Sequence, residues 1–229
     1  MKYAIMQPNF LPWAGYFNLL KKVDEFIFFD DVQFSKNSWN NRNLILLKNK
    51  KIWMTVPLKK SKLNTNLNHK KIDYKTNWKK KITNLVMQSY AKHPFKHNLK
   101  ELFDFINDLN CDVLSDLNIL IIKFISDKLK IESKFSLSSN FNIDKKRTDK
   151  IIGILETTKA TEYISPFGAK DYLTDDEFKK KTNIKLIINN FIPKSYNQLN
   201  SSQFVSHLSM VDVIGNIGWD GAKNYIGEE

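Results

Sequence analysis

Asp30 and Asp31 stand side by side at the end of an apolar run. A few residues later SWNNRN, residues 38–43, gathers an indole, three amides and a guanidinium. A carboxylate can orient or deprotonate a hydroxyl or an amine. A guanidinium binds phosphate or carboxylate through a planar pair of hydrogen bonds. Arg42 is one of two arginines in a chain with thirty-four lysines, so its type reads as chosen for that geometry, with a buried Arg–Asp pair as the alternative. Neighbours in an extended chain face opposite ways. Asp30 and Asp31 are therefore not a paired acid and base; one can face a site while the other caps a strand end. Trp39 offers a flat platform, and Gln33, Asn41 and Asn43 offer hydrogen bonds.

Two further stretches could meet this one. In QPNFLPWAGYF (7–17), Pro8 and Pro12 stiffen the backbone. Gly15 permits close approach at a helix start, where the dipole favours anions. Gln7 and Tyr16 bring polar groups to the same loop. In SPFGAKDY (165–172), Gly168 gives backbone access and Lys170 a point charge suited to phosphate, with Asp171 and Tyr172 behind it. The pattern GxxxxGK[ST] is missing, so a P-loop is not read here. Arg147, beside Lys145 and Lys146, reads as a solvated helix end, and His207 as structural. His93 and His97 could chelate a metal only on a helix, which Pro94 opposes; no metal site is expected.

The elements that would carry these loops follow from periodicity. KYAIM (2–6) reads as a strand, YFNLLKKV (16–23) as an amphipathic helix, and the apolar run from Glu25 to about Asp31 as a buried strand. That β-α-β order implies a parallel pair with a crossover helix, hence an α/β sheet. KIWMTVPL (51–58) is a further strand, and 58–71 an exposed loop. Helices are expected from Thr76 to about Ser89, over Leu99–Leu109 and over Val113–Leu129, a helical subregion spanning about 76–130. A helix at 148–159, a strand at 162–165, a helix opened by a capping box at Thr174 and Glu177, a strand at 184–189 and a helix from Ser206 ending at Gly218 complete the series. Ligands of open α/β sheets sit at the carboxyl ends of the strands. All three polar loops fall at such ends.

The chain has 229 residues, 42% of them hydrophobic, enough for a single α/β domain over 1–229. No 18-residue apolar run or leader-like segment occurs, so the expected location is the cytoplasm, with no transmembrane segment. Cys111 is the only cysteine, which excludes an internal disulfide. The net charge of +12 is concentrated: residues 48–100 hold fifteen lysines against one acid, Asp73. Such a segment suits phosphates, nucleic acid or an anionic surface, or is simply a solvated face.

Four segments together, QPNFLPWAGYF, DEFIFFDDVQF (24–34), SWNNRNLI (38–45) and MTVP (54–57), resemble the pattern of WbqC-like proteins. These are bacterial proteins associated with O-antigen and other surface-polysaccharide biosynthesis. Trp78 and Tyr90, DLN at 116–118, AKDYL at 169–173 and the LSxxD spacing at 208–212 extend the resemblance along nearly the whole chain. Two departures stand out: Tyr163-Ile164-Ser165-Pro166 replaces YLSG, and FIPKSY (191–196) lacks the family's histidine, so no role of that histidine is carried over. The resemblance marks Gln7, Pro8, Pro12, Gly15 and Tyr16, then Asp30, Asp31, Gln33, Trp39, Asn41, Arg42 and Asn43, and finally Gly168, Lys170, Asp171 and Tyr172.

The resemblance implies an enzyme: a transferase placing an acyl or aminoacyl group on the amine of a nucleotide-linked deoxyamino sugar. The donor or activator would be acyl-CoA, ATP or a charged tRNA, the last reached through the lysine-rich 48–100 segment. Asp30 or Asp31 would act on the amine, with Arg42 and Lys170 holding phosphate or carboxylate. The opening strand, loop and helix also resemble pantothenate synthetase-like nucleotidyltransferases, of HUP-type fold. There two histidines flank a glycine; here Gly15 matches the glycine, Tyr16 replaces the second histidine, and neither histidine is present. The alternatives are accordingly a nucleotidyltransferase acting on a sugar phosphate or acid, and a non-catalytic scaffold for polysaccharide enzymes.

Overall fold

The computed structural model describes residues 1–227. Its first unit is β1 (Lys2–Met6), α1 (Ala14–Lys21) and β2 (Glu25–Phe28), with β1 and β2 parallel and Ile5 opposite Ile27. The two strands are buried on both faces, which explains their unbroken apolar runs. Ala4, Phe26 and Phe28 face one core, and Tyr3, Ile5 and Ile27 the other.

The chain then leaves the sheet. β3 (Arg42–Leu47) and β4 (Lys50–Thr55) pair as a separate antiparallel hairpin. Its turn residues Lys48 and Asn49 both have positive φ, the backbone that a tight two-residue hairpin loop requires. The expected strand at 51–58 is therefore real but lies outside the main sheet. Its partner β3 starts at the end of the polar SWNNRN stretch and was not expected. Residues 58–71 are not a free loop either. Leu67 is fully buried in a short 3-10 turn (Leu67–His69), and Lys70 is buried with its ammonium on the Lys59 carbonyl at 3.0 Å and Ser61 Oγ at 2.6 Å.

Helices α2 (Trp78–Ser89), α3 (Lys96–Asp108) and α4 (Leu114–Lys128) follow, and α4 leads directly to β5 (Lys134–Leu137). β5 was not foreseen, since four residues, one exposed and three half-buried, carry little pattern. The chain continues through α5 (Arg147–Thr157), β6 (Glu162–Pro166), α6 (Lys170–Asp175), α7 (Phe178–Lys181) and β7 (Lys185–Asn189). The helix expected to open at Thr174 instead begins at Lys170. Glu177 sits at left-handed φ before α7 without making a side-chain cap.

The main sheet has the order β5-β2-β1-β6-β7, and every pairing is parallel. This is an α/β fold of the Rossmann or HUP-like kind. The first strand lies in the middle and the order reverses between β1 and β6. One core packs α1, α2, α3 and α4 on one face, and the other packs α5, α6 and α7 on the opposite face. The last helix, α8 (Met210–Tyr225), joins the first core. It does not stop at Gly218 as expected but kinks there. Gly218 has φ 71° and ψ −178°, a backbone reserved for glycine, and an added Cβ would lie 2.6 Å from the Phe95 ring. Among the described residues no helix is long and apolar enough to cross a membrane.

Asp212, in the first turn of α8, is fully buried, and among the described residues no cation pairs with it. It accepts hydrogen bonds from the hydroxyls of Tyr90 and Tyr196, each at 2.7 Å, and from Gln198 Nε2 at 2.8 Å. Beside it His93 packs on Tyr90, and both its ring nitrogens are buried without a hydrogen-bond partner. Burial pulls the His93 pKa below its ordinary 6.5, opposed by the Asp212 charge. A depressed value means the unfolded chain takes up the proton first, so stability is full above about 6.5 and falls as pH drops through that value. His93→Phe is expected to flatten this acid limb between about pH 6.5 and 5, read as the urea midpoint against pH.

Candidate functional site

The order of the sheet reverses between β1 and β6, and the crevice at such a point is where ligands of open α/β sheets bind. Two adjoining chambers open there, of about 540 and 600 Å³. They share Met6 at the end of β1, Asn9, Trp39, Pro166 at the end of β6, and Gly168. The first chamber extends over the start of α1 toward Phe191 and His207. The second extends under Phe29 toward Arg147 and Tyr172.

The rim is built from a network of amides. Asn40, 1% exposed, donates from Nδ2 to Asn9 Oδ1 at 2.9 Å and to Gln7 Oε1 at 3.2 Å, and accepts from Ser38 Oγ at 2.7 Å. Asn118 on α4 is fully buried and donates to the carbonyls of Pro8 at 2.9 Å and Asn40 at 2.7 Å, tying the first loop to the second. Asn43 Nδ2 reaches the carbonyls of Phe10 and Leu11, and Ser209 Oγ also donates to the Leu11 carbonyl. These bonds hold Leu11 at φ 44°, a conformation that a non-glycine residue rarely takes.

Trp39 is 48% exposed and forms the wall between the chambers. Its ring packs on Trp53 of β4 at 5.5 Å, and the Arg42 guanidinium lies over the other indole at 4.2 Å. Arg42 also donates from Nη2 to the Asn37 carbonyl at 2.7 Å. Neither chamber is lined by Arg42; it covers Trp53, which in turn packs on the tryptophan that lines both.

The expected carboxylates lie elsewhere. Asp30 is buried and accepts from Ser138 Oγ at 3.0 Å, the Ser139 amide at 3.0 Å and Asn68 Nδ2 at 3.3 Å. Asp31 pairs with Lys150 Nζ at 2.5 Å and with Ser138 Oγ at 2.5 Å. These contacts fasten the end of β2 to the segment after β5 and to α5, behind Phe29. Gln33 donates to the Leu63 carbonyl, and Asn41 to the Val56 carbonyl. Lys170 lies over the Phe167 ring at 5.9 Å, and Asp171 is exposed. Pro8 is buried, with its carbonyl on Asn118. None of these seven residues lines a chamber, as Arg42 does not.

Of the other expected residues, Gln7 and Tyr172 line the second chamber, Gly15, Tyr16 and Asn43 the first, and Trp39 and Gly168 both. Tyr16 is buried with its hydroxyl on the Gln7 carbonyl at 3.1 Å, and burial holds its pKa well above the ordinary value. Gly15 does not open space for a ligand, because the Trp13 indole occupies the place of the absent side chain, at 2.3 Å from an added Cβ. At Gly168 the corresponding space is empty.

Asn9 and Asn40 line the chambers without having been marked as site residues, and so do Arg147, expected as a solvated helix end, and His207, expected to be structural. Arg147 has φ 51° and binds Asp176 through Nε at 3.0 Å and Nη2 at 2.9 Å. The Thr148 hydroxyl and this guanidinium hold the Asp176 carboxyl below its usual range. Burial, then the Asp176 charge, push the neighbouring Tyr172 phenol up. His207 has φ 61°, stacks against Trp13 at 4.6 Å and places Nδ1 2.8 Å from Ser206 Oγ. Sequence spacing gave no cue to either. Both sit in left-handed backbone at the edge of a chamber, a strain that concentrates at functional sites.

Asn118→Leu keeps the side-chain size and orphans two buried carbonyls. It is expected to cost about 1–3 kcal/mol per carbonyl, measured by urea unfolding, whereas Gln33→Ala at the exposed loop is expected to stay within about 0.5 kcal/mol.

Comparison with known proteins places residues 7–224 in a match to the WbqC-like protein family. The uncharacterized protein Rv1507c of Mycobacterium tuberculosis is 29% identical over 231 residues, covering 98% of this chain and 97% of that one. No solved structure matches the chain significantly.

Proposed function

Since this chain belongs to the WbqC-like protein family, we propose that it is a transferase of surface-polysaccharide biosynthesis that forms an amide on the amine of a nucleotide-linked deoxyamino sugar. The observation that carries this reading is the pair of chambers sharing one wall at the point where the sheet order reverses. Two reactants held on either side of Trp39 would meet along Asn9 and Gly168, and such positioning supplies much of the rate of a bimolecular transfer.

The second chamber suits the sugar nucleotide. Arg147 spends Nε and Nη2 on Asp176, which leaves Nη1 for a phosphate oxygen. Gln7 and Asn40 border the sugar, and Trp39 stacks on a ring. The first chamber takes the activated acyl group. The sugar nitrogen attacks the acyl carbonyl carbon, the new C–N bond forms, and the bond to the donor's leaving group breaks with its electron pair. The amine must shed a proton in that step. Neither Asp30 nor Asp31 reaches a chamber, so we assign the proton to His207, an imidazole on the first chamber that can hold it and return it to the leaving group. Asp30 and Asp31 position the end of β2.

The strand order is also that of the nucleotidyltransferase-like fold and keeps a second reading open, ATP-dependent nucleotidyl transfer. The missing histidine pair and the buried Tyr16 hydroxyl weigh against it. The lysines of 48–100 are spread over β4, the 58–71 loop, α2 and α3, and Lys70 and Lys79 bond to backbone carbonyls instead of facing outward. A charged tRNA is thus tested but not favoured.

A thermal-shift panel of TDP- and UDP-linked amino sugars, ATP, CoA and bulk tRNA tests the proposal. Ligand at a hundred times its dissociation constant stabilises by about 2.7 kcal/mol, roughly 5–10 °C at the 2–4 °C per kcal/mol expected for this size. A sugar nucleotide is expected to give this shift, and Trp39→Ala to weaken its binding by about 1–3 kcal/mol, roughly 5- to 150-fold. A response to ATP or tRNA alone would transfer support to the second reading or to tRNA. A panel without any response would favour a scaffold.

A further inference from the structure

We propose that the first chamber selects a neutral aliphatic acyl chain of several carbons, and that the group transferred is acyl and not aminoacyl. This rests on the transferase reading and narrows its donor. No aspartate, glutamate, lysine or arginine lines the chamber among the described residues. Its walls are apolar, formed chiefly by Trp13, Leu19, Phe167, Phe191, Ile192 and Pro193.

Apart from the exposed Asn190 and the His207 ring, the polar side chains in those walls are largely committed to the protein. Asn9 Oδ1 accepts from Asn40, and Asn43 gives its amide to two backbone carbonyls and its Oδ1 to the Leu44 amide. Asn189 donates to Asn18 Oδ1 at 3.0 Å, and the Tyr16 hydroxyl donates to the Gln7 carbonyl. A guest therefore meets apolar surface with few free hydrogen-bonding groups. An ammonium on the α-carbon of an aminoacyl group would lose its water without gaining a carboxylate, a large cost for a buried charge. An acetyl group would leave most of the roughly 540 Å³ without contact. A longer chain satisfies both constraints, and its burial is favourable at each added methylene.

The test is direct binding to the intact wild-type chain of neutral primary amides from propanamide to octanamide, followed by calorimetry or tryptophan fluorescence. The dissociation constant is expected to fall about fourfold per methylene until the chamber is filled. At pH 6, where its amine is protonated, leucinamide is expected to bind at least tenfold more weakly than 4-methylpentanamide, which lacks only that amine. Ile192→Asp, at a mouth position that is 71% exposed and so tolerant of change, is expected to weaken octanamide at least tenfold. A flat series, leucinamide binding equal to that of its neutral analogue, or octanamide indifferent to Ile192→Asp would each overturn the inference. A flat amide series alongside a clear sugar-nucleotide shift would remove the acyl inference and keep the transferase reading. Graded amide binding with no sugar-nucleotide shift would keep the chamber's preference for a neutral aliphatic chain but remove the transferase reading, and with it the statement that an acyl group is transferred.

Discussion

The crevice depends on one buried carboxamide. Asn118 lies in α4, which also supplies Leu117, Ile121 and Ile122 to the core, and its Nδ2 binds the carbonyls of Pro8 and Asn40 together. Neither carbonyl belongs to a strand or helix, so without this donor both would be buried and unpaired. A single side chain from a rigid helix thus sets the distance between the loop after β1 and the loop before β3. Everything that lines the crevice from those loops, including Asn9, Trp39 and Asn40, inherits its position.

A second buried group fastens the far side. Asp212 draws Tyr90 from the end of α2 and Tyr196 and Gln198 from the segment before α8 onto one carboxylate. Three neutral donors and its place in the first turn of α8 are what compensate the charge. The same α8 start donates Ser209 Oγ to the strained Leu11 and the Met210 amide to the Pro12 carbonyl. The stretch carrying Phe191, Ile192 and His207, which has no strand or helix of its own, is in this way held against the first chamber.

Support for the site is layered. Trp53, itself covered by Arg42, backs the Trp39 ring, and Asp31 with Lys150 backs Phe29. Ionisable residues of the kind that suggests catalysis in a sequence here stiffen the walls. The surfaces lining the chambers are mostly aromatic, aliphatic and amide, with the His207 imidazole in one and the Arg147 guanidinium in the other. Asp30 illustrates why the distinction was not legible: a carboxylate at the carboxyl end of a central strand has the right address for catalysis. Whether it faces the crevice depends on Ser138, more than a hundred residues away, which no local pattern couples to it.

The sequence alone determined most of the alternation of strands and helices, the parallel α/β class, and the position of polar loops after β1 and β6 at strand ends. These follow from periodicity, prolines and glycines, which act over a few residues. Gln7, Trp39, Asn43, Gly168 and Tyr172, expected from their place in strand-end loops, do line the chambers. Tertiary structure alone decided that Arg147 and His207 reach the chambers while Asp30, Asp31, Arg42 and Lys170 do not, and that the Gly15 space is filled by Trp13. It also decided that β3 and β4 form their own hairpin and that β5 closes the sheet edge. The physical reason is common to all of these. Orientation and partner are fixed by hydrogen bonds and packing between segments far apart in the chain, and that information resides in no single stretch of it.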